Sequence, residues 1–267
     1  MADPAPASPA LATLEAIWRY PVKGLAGERL ERVTLTAGET LPHDRRFGLL
    51  AGAAGGADSS GESWVECGQF YALAREERLA QLGLAFDEES ETLTITRHGR
   101  QVARGKATDP VGRSLLDQFF AAFLSGSPRG TPRFLAGRQQ PERRVNYTDT
   151  AEPTVSLLNL ASVADLERVA RQPVDPRRFR MNFWLAGLAP WAERDWIGRR
   201  FRLGEALVEV VEETARCAAT AVNPDSAERD LNVPRLLQGG YGHLNQGVYA
   251  IVREGGAVAV GDALVAA

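Results

Sequence analysis

A chain of 267 residues, 44% hydrophobic and 24% charged, can bury one large core or two, and a formal net charge of −3 excludes a general nucleic-acid binder. Two cysteines, Cys67 and Cys217, give neither a disulfide framework nor a zinc-ribbon spacing, so a reduced, cytoplasmic setting is the expectation. No apolar run reaches the length of a membrane span, so no membrane partner is expected either.

The Ala/Pro-rich start, MADPAPASPALA, lacks the basic and apolar regions of a signal peptide and reads as a short disordered leader. There is no fixed-period repeat. Residues 11–20 read as a first strand stopped by Pro21. The loop YPVKGLAGE then presents Lys23. Residues 29–36 alternate as a strand, and HDRRFGLL, residues 43–50, reads as a third strand entered through charge. Residues 51–63 are a Gly/Ala/Ser loop, and residues 64–67 resume a strand. Residues 80–86 and 92–96 pair as a hairpin, and residues 100–104 add another strand. Residues 110–124 carry Val111, Leu115, Leu116, Phe119, Phe120 and Phe123 at helical spacing.

Residues 138–153 read as a polar crossing with a basic knot at Arg143-Arg144, and residues 154–158 as a strand. Ser162 to Asp165 resembles a capping box, opening a helix through Arg171. Residues 179–186 and 207–212 read as strands, followed by a polar stretch with a short helix. Residues 248–252 and 257–260 form an expected closing hairpin. The fold class is therefore mainly β (α+β): a β-barrel-like N-terminal domain, residues 10–137, and a β-rich domain with short helices, residues 138–267.

Cys217 lies just past a strand, in ETARCAATAVNP, beside the permanent charge of Arg216. A thiolate binds metal or attacks an electrophile, and a neighbouring cation favours it; the alternative is a small buried hydrophobe. His43, His98 and His243 lack metal-ligand spacing.

Taken in order, YPVKG, DRRFGLL, NYTDTAEPTVSLLNLASVADL, RFRMN, ARC with T-x-V-N-P, QGVYA and VGDALV resemble the MOSC family, which includes molybdenum-cofactor sulfurase C-terminal domains and amidoxime-reducing-component-type proteins. The resemblance implies a molybdenum cofactor (Mo-molybdopterin) between the two domains. It makes Cys217 the metal ligand and catalytic thiolate, with Lys23, Gly24, Arg46, Asn159, Arg180, Asn182 and Arg216 as further cofactor-binding residues. The sequence departs from the family pattern at Gly24 and Ala215, where Ser is usual, and around Glu66-Cys67-Gly68. Neither an Fe–S domain nor a mitochondrial leader is expected.

Three activities fit these residues. One is an oxidoreductase acting on N-oxygenated small molecules, with electrons from a separate donor protein. A second is a non-catalytic carrier of the cofactor, or a sulfur-transfer module using Cys217. The third is a thiol enzyme with Cys217 as nucleophile and His243 approaching as base.

Overall fold

A computed structural model describes residues 9–54, 58–140 and 142–267. The expected leader, residues 1–8, and part of the glycine-rich loop therefore lie outside the described residues. The elements in order are β1 (Ala10–Arg19), β2 (Glu28–Leu30), β3 (Arg32–Leu35), β4 (Phe47–Leu50), β5 (Leu82–Asp87), β6 (Thr92–Arg97), β7 (Arg100–Lys106) and α1 (Pro110–Phe123). They continue with β8 (Arg133–Ala136), β9 (Gln139–Gln140), β10 (Arg143–Arg144), β11 (Val155–Asn159), α2 (Leu160–Ala170), β12 (Phe183–Ala186) and β13 (Arg200–Leu203). The last are β14 (Ala206–Ala215), α3 (Val233–Tyr241), β15 (Asn245–Glu254), β16 (Gly256–Ala259) and β17 (Ala263–Ala266). The fold is mainly β with short helices, as the alternation of apolar residues indicates.

Strands run β12-β11-β15-β14-β13-β17-β1, and β1 pairs back to β12, so the described residues contain a closed seven-stranded barrel with β2 attached to β1. Closure removes sheet edges that would otherwise invite pairing with other chains. Period-two alternation sends Ala12 and Leu14 of β1 inward against Leu157, Phe183, Phe201, Val208, Val248 and Leu264. A register shift after Leu14 re-aims the strand, so that Ile17 is buried and Trp18 reaches the barrel rim. Six of the barrel strands come from residues 155–266, and the seventh is the first strand of the chain.

A second core lies under β4, the β5–β6–β7 meander and α1, with Phe47, Tyr71, Leu82, Ile95, Leu116 and Phe120 buried together. Asp109 caps α1 by accepting from Val111 N and Gly112 N, and Pro110 begins it. The buried face is Gly112, Leu116 and Phe120. Gly112 lets the helix touch β7, because a Cβ there would sit 2.2 Å from the Lys106 carbonyl oxygen. Val111 and Leu115, expected in the buried stripe, are 70% and 50% exposed. The close approach through Gly112 turns the helix so that they face outward. A third cluster packs α2 and α3 over Leu158, Phe179 and Met181.

Several expected elements change. Only Phe47–Leu50 of the third strand is extended. The preceding residues form a turn with His43 and Arg45 at φ of 62° and 47°. Residues 64–67 are not a strand, and Cys67–Gln69 is a short 3₁₀ turn. Helix α2 begins at Leu160, capped by Asn159 rather than Ser162. The closing hairpin is rearranged: β15 pairs with β11 and β14, whereas β16 leaves the barrel to pair with β3.

Candidate functional site

Three guanidinium groups converge where the barrel meets the second core. Arg180 follows a short 3₁₀ turn, Pro176–Phe179, in a left-handed conformation, which throws its side chain back toward the loop after β1. Its Cζ lies 4.4 Å from the centre of the Tyr20 ring, and the Cζ of Arg45 lies 4.5 Å from the same ring. Arg45 Nη2 donates to the Arg180 carbonyl at 2.6 Å, and Arg180 Nη1 donates to the Leu25 carbonyl at 2.5 Å. Arg180 Nη2 is buried and finds no hydrogen-bond partner among the described residues.

Arg216, at the end of β14, is buried, and its Nε and Nη1 donate to the carbonyls of Gln246 and Phe179 at 2.8 and 3.0 Å. Its Nη2 contacts Met181 Sδ at 2.8 Å. None of these partners is an anion. Burial brings the pKa of Arg216 down to about 10, and burial together with Arg45 does the same to Arg180. Both stay charged at neutral pH; Asp44 pairs with Arg45 and Asp149 with Lys23, whereas Arg180 and Arg216 form no salt bridge with a carboxylate among the described residues. Burial also raises Tyr20 and Tyr249 to about 12, leaving both phenols protonated.

Asn182 fixes the geometry beneath. Its Oδ1 accepts from Ser156 N at 3.1 Å and Ser156 Oγ at 2.8 Å, and its Nδ2 donates to the Trp18 carbonyl at 3.1 Å. One side chain thereby ties β11 and β1 to the start of β12. Lys23 Nζ, buried, donates to the Tyr147 carbonyl at 2.8 Å and Asp149 Oδ1 at 2.6 Å. The Asp149 carboxyl is exposed over about half its surface, so the desolvation that would raise it counts for little, and Lys23 and Arg45 hold it well below the ordinary carboxylate range. The Cys67 thiol also faces Lys23 and Asp149, and burial pushes its pKa up.

A crevice of about 20 Å³, room for about one water, is lined by Arg45, Asp149, Arg180, Asn182, Arg216 and Tyr249. A cavity of about 160 Å³ lies on the other side of Arg180, lined by Trp18, Tyr20, Gly24, Leu25, Leu73, Arg178, Ala219 and Val222. Gly24 sits at φ +86°, and a Cβ there would lie 3.0 Å from both Ala72 Cα and the Tyr71 carbonyl oxygen. Only glycine lets the loop pass here without strain. Cys217 is exposed and begins the Ala218–Ala221 turn that supplies Ala219 to this cavity. Grooves of about 410 and 710 Å³ elsewhere on the molecule contain none of the expected residues.

Of those residues, Gly24, Arg180, Asn182 and Arg216 line the cavity or the crevice; Cys217 opens the turn at the cavity's edge, and Lys23 joins through Asp149. Two are corrected. Arg46 binds Glu91 at 2.7 Å and meets His43 Nδ1 at 3.2 Å, and Arg45 takes the place facing Tyr20. The turn at residues 43–46 shifts the side-chain alternation that a strand would have imposed. Asn159 is fully buried away from the crevice: it caps α2 and donates to Glu193 and the Ala189 carbonyl, both at 2.8 Å. The Arg-Arg doublet was the one signal for Arg45. Nothing local marked Asp149 or Tyr249. His243 accepts from Asn245 N at 3.1 Å and packs on Trp191 and Tyr241. Among the described residues, no cluster of three or more His, Cys, Asp or Glu could hold a metal. No described helix is long and apolar enough to cross a membrane.

The sequence pattern of the MOSC domain matches residues 142–265, and that of the MOSC N-terminal beta barrel domain matches residues 11–127. Human mitochondrial amidoxime-reducing component 1 is 24% identical over 244 residues, covering 80% of this chain and 67% of that protein. Among solved structures, the YUAD protein of Bacillus subtilis is 13% identical with a TM-score of 0.41, covering 95% of this chain and 93% of its own. YiiM from Geobacillus stearothermophilus is 23% identical with a TM-score of 0.34, covering 42% of this chain and 53% of its own, so the match spans about half of that relative. Two domain patterns, in the expected order and together covering nearly the whole chain, make this protein a member of the MOSC family, with a MOSC N-terminal beta barrel domain before the MOSC domain.

Proposed function

We propose that this chain binds a molybdenum cofactor in the cleft between the residue 20–27 loop, the Arg180 turn and the Cys217 turn, and reduces N-oxygenated small molecules with electrons from a separate donor protein. The observation that carries this reading is Arg180 Nη2, a buried and unpartnered donor on a permanent cation. A buried unsatisfied charge is costly, and an anionic ligand group relieves that cost. Arg45 and Arg216, whose donors are engaged within the protein, add fixed positive charge beside a phosphate or pterin, and Lys23 adds a point charge. The exposed Cys217 offers a soft sulfur donor of the kind molybdenum takes.

The residues present therefore fit the group. When bound, the cofactor supplies the redox chemistry, and the protein supplies binding, orientation and charge. Tyr20 stays protonated beside the two guanidiniums and keeps the wall neutral on its side. Cytoplasmic residence belongs to the same proposal, since two free thiols suit a reducing compartment. The exposure of Cys217 also favours a second reading, a cofactor carrier or sulfur-transfer module, because an open thiol can be handed to a partner. Turnover separates the two. Protein from a cofactor-competent host, given an N-hydroxylated amidine and an artificial reductant, is expected to form the amidine. Retained molybdenum without turnover would favour the carrier.

A further inference from the structure

Arg229 lies outside the expected site, yet it spans the two halves of the molecule beside Cys217. Its Nη1 donates to the Ala218 carbonyl at 3.0 Å. Its Nη2 donates to the carbonyls of Leu73 and Ala74 at 2.9 and 3.1 Å. Its Nε and Nη2 also meet Glu77 Oε2 at 3.3 and 3.2 Å. Leu73, whose own carbonyl is anchored, and Ala219, next to the anchored Ala218, both line the 160 Å³ cavity. The backbone of Arg229 is fixed as well, through a bridge with Val222 at the far end of the Cys217 turn.

We infer that Arg229 is a positioning residue. Its fork clasps the turn that begins at Cys217 to the segment 73–77, and so sets the place of the Cys217 sulfur relative to Arg180 and the cavity. The inference rests on the proposed use of Cys217 but not on the identity of the metal. A guanidinium suits the task because its donors reach three carbonyls and a carboxylate in one plane. Lysine, a point donor on a flexible stem, cannot span them. Cys217 and Ala218 are exposed; within the turn, Thr220 N and Oγ1 donate to the Cys217 carbonyl at 3.2 and 2.9 Å and Val222 N to the Ala219 carbonyl at 3.2 Å, and Arg178 Nη1 holds its far end through the Thr220 and Ala221 carbonyls at 3.4 and 3.3 Å, so Arg229 is the clasp at the Cys217 end.

Hydrogen exchange read by mass spectrometry tests this on the full chain. In Arg229→Ala, the amides of residues 217–222 are expected to exchange about tenfold faster, whereas residues 248–252 in the barrel keep the wild-type rate. Arg229→Lys, which keeps the charge, is expected to show most of the same local increase, and it serves if the Ala variant does not fold. Unchanged exchange at 217–222, an equal rise at both segments, or full rescue by Lys would overturn the clasp. A molybdenum assay on the same samples separates the two claims. Wild-type protein without metal counts against the cofactor, while the exchange result decides the clasp by itself. Where wild type holds metal, Arg229→Ala is expected to retain several-fold less.

Discussion

Arg180 is the residue on which the site's electrostatics turn. Its pKa of about 10 records burial and the repulsion of Arg45, so the protein carries a cation that water does not solvate on one side. Inorganic phosphate or pyrophosphate is expected to stabilise the cofactor-free chain, by about 2.7 kcal/mol at a hundredfold excess over its dissociation constant, read as a rise in melting temperature. Arg180→Gln is expected to abolish that gain, and equal stabilisation of both proteins would refute the assignment. Asn182 is different, a frame rather than a contact. Asn182→Ala removes three buried hydrogen bonds and leaves Ser156 N and the Trp18 carbonyl unpaired, so urea titration is expected to show a loss of about 3 kcal/mol. A loss under 1 kcal/mol would show that water replaces the amide. At this scale the motifs lead to residues that the structure gathers around the crevice and cavity, as with Gly24, Arg180, Asn182 and Arg216. Arg46 lies one position from the arginine that faces Tyr20, because two positive-φ residues convert a strand into a turn and a doublet gives no clue to which arginine points inward.

Among the elements, α2 shows how a buried carboxyl can organise a turn without serving chemistry. Glu193 is 1% exposed and accepts from Asn159 Nδ2 at 2.8 Å and from Ser162 Oγ at 2.8 and 3.0 Å. Ser162 Oγ in turn accepts from Trp191 N at 2.8 Å. Burial raises the Glu193 pKa above its ordinary 4.5, more than Asn159 and Ser162 lower it. A raised carboxyl favours the protonated folded state, so its contribution is full below the unfolded value and lost as pH rises through the folded one. Glu193→Gln is therefore expected to gain stability relative to wild type as pH rises above the ordinary carboxylate range toward neutrality. A relative loss over that interval would mean that the ionised form is the favoured one. The helix itself was legible from its apolar spacing. Its cap was not, because Asn159 and Ser162 are both good capping residues and only the distant Glu193 decides between them. The same limit applies to α1, where Phe119, Phe120 and Leu116 marked a helix but the contact of Gly112 with Lys106 chose its face.

For the molecule as a whole, the barrel is built from the two ends of the chain. We propose the division into residues 10–137 and 138–267 as one of sequence pattern, while β1 crosses it and closes the barrel between β12 and β17. A truncated chain beginning at residue 138 leaves two barrel edges open and exposes Leu157, Phe183 and Leu264. It is expected to melt without a cooperative transition, and recovery of one on adding residues 9–20 as a peptide would trace the cause to β1. A sharp two-state melt of the truncated chain would contradict this. Strand periodicity identified β1, but β17 went unread after Gly261-Asp262, since pairing across some 250 residues leaves no mark in local alternation, nor does the departure of β16 to β3.

The central claim concerns a sulfur on the rim of a cationic cleft, and metal analysis addresses it most directly. Protein purified from a host that makes the cofactor is expected to hold close to one molybdenum per chain. Cys217→Ala is expected to hold little, while melting within about 0.5 kcal/mol of wild type because the side chain is exposed. Wild-type protein free of molybdenum, or equal loading in the variant, would contradict the account.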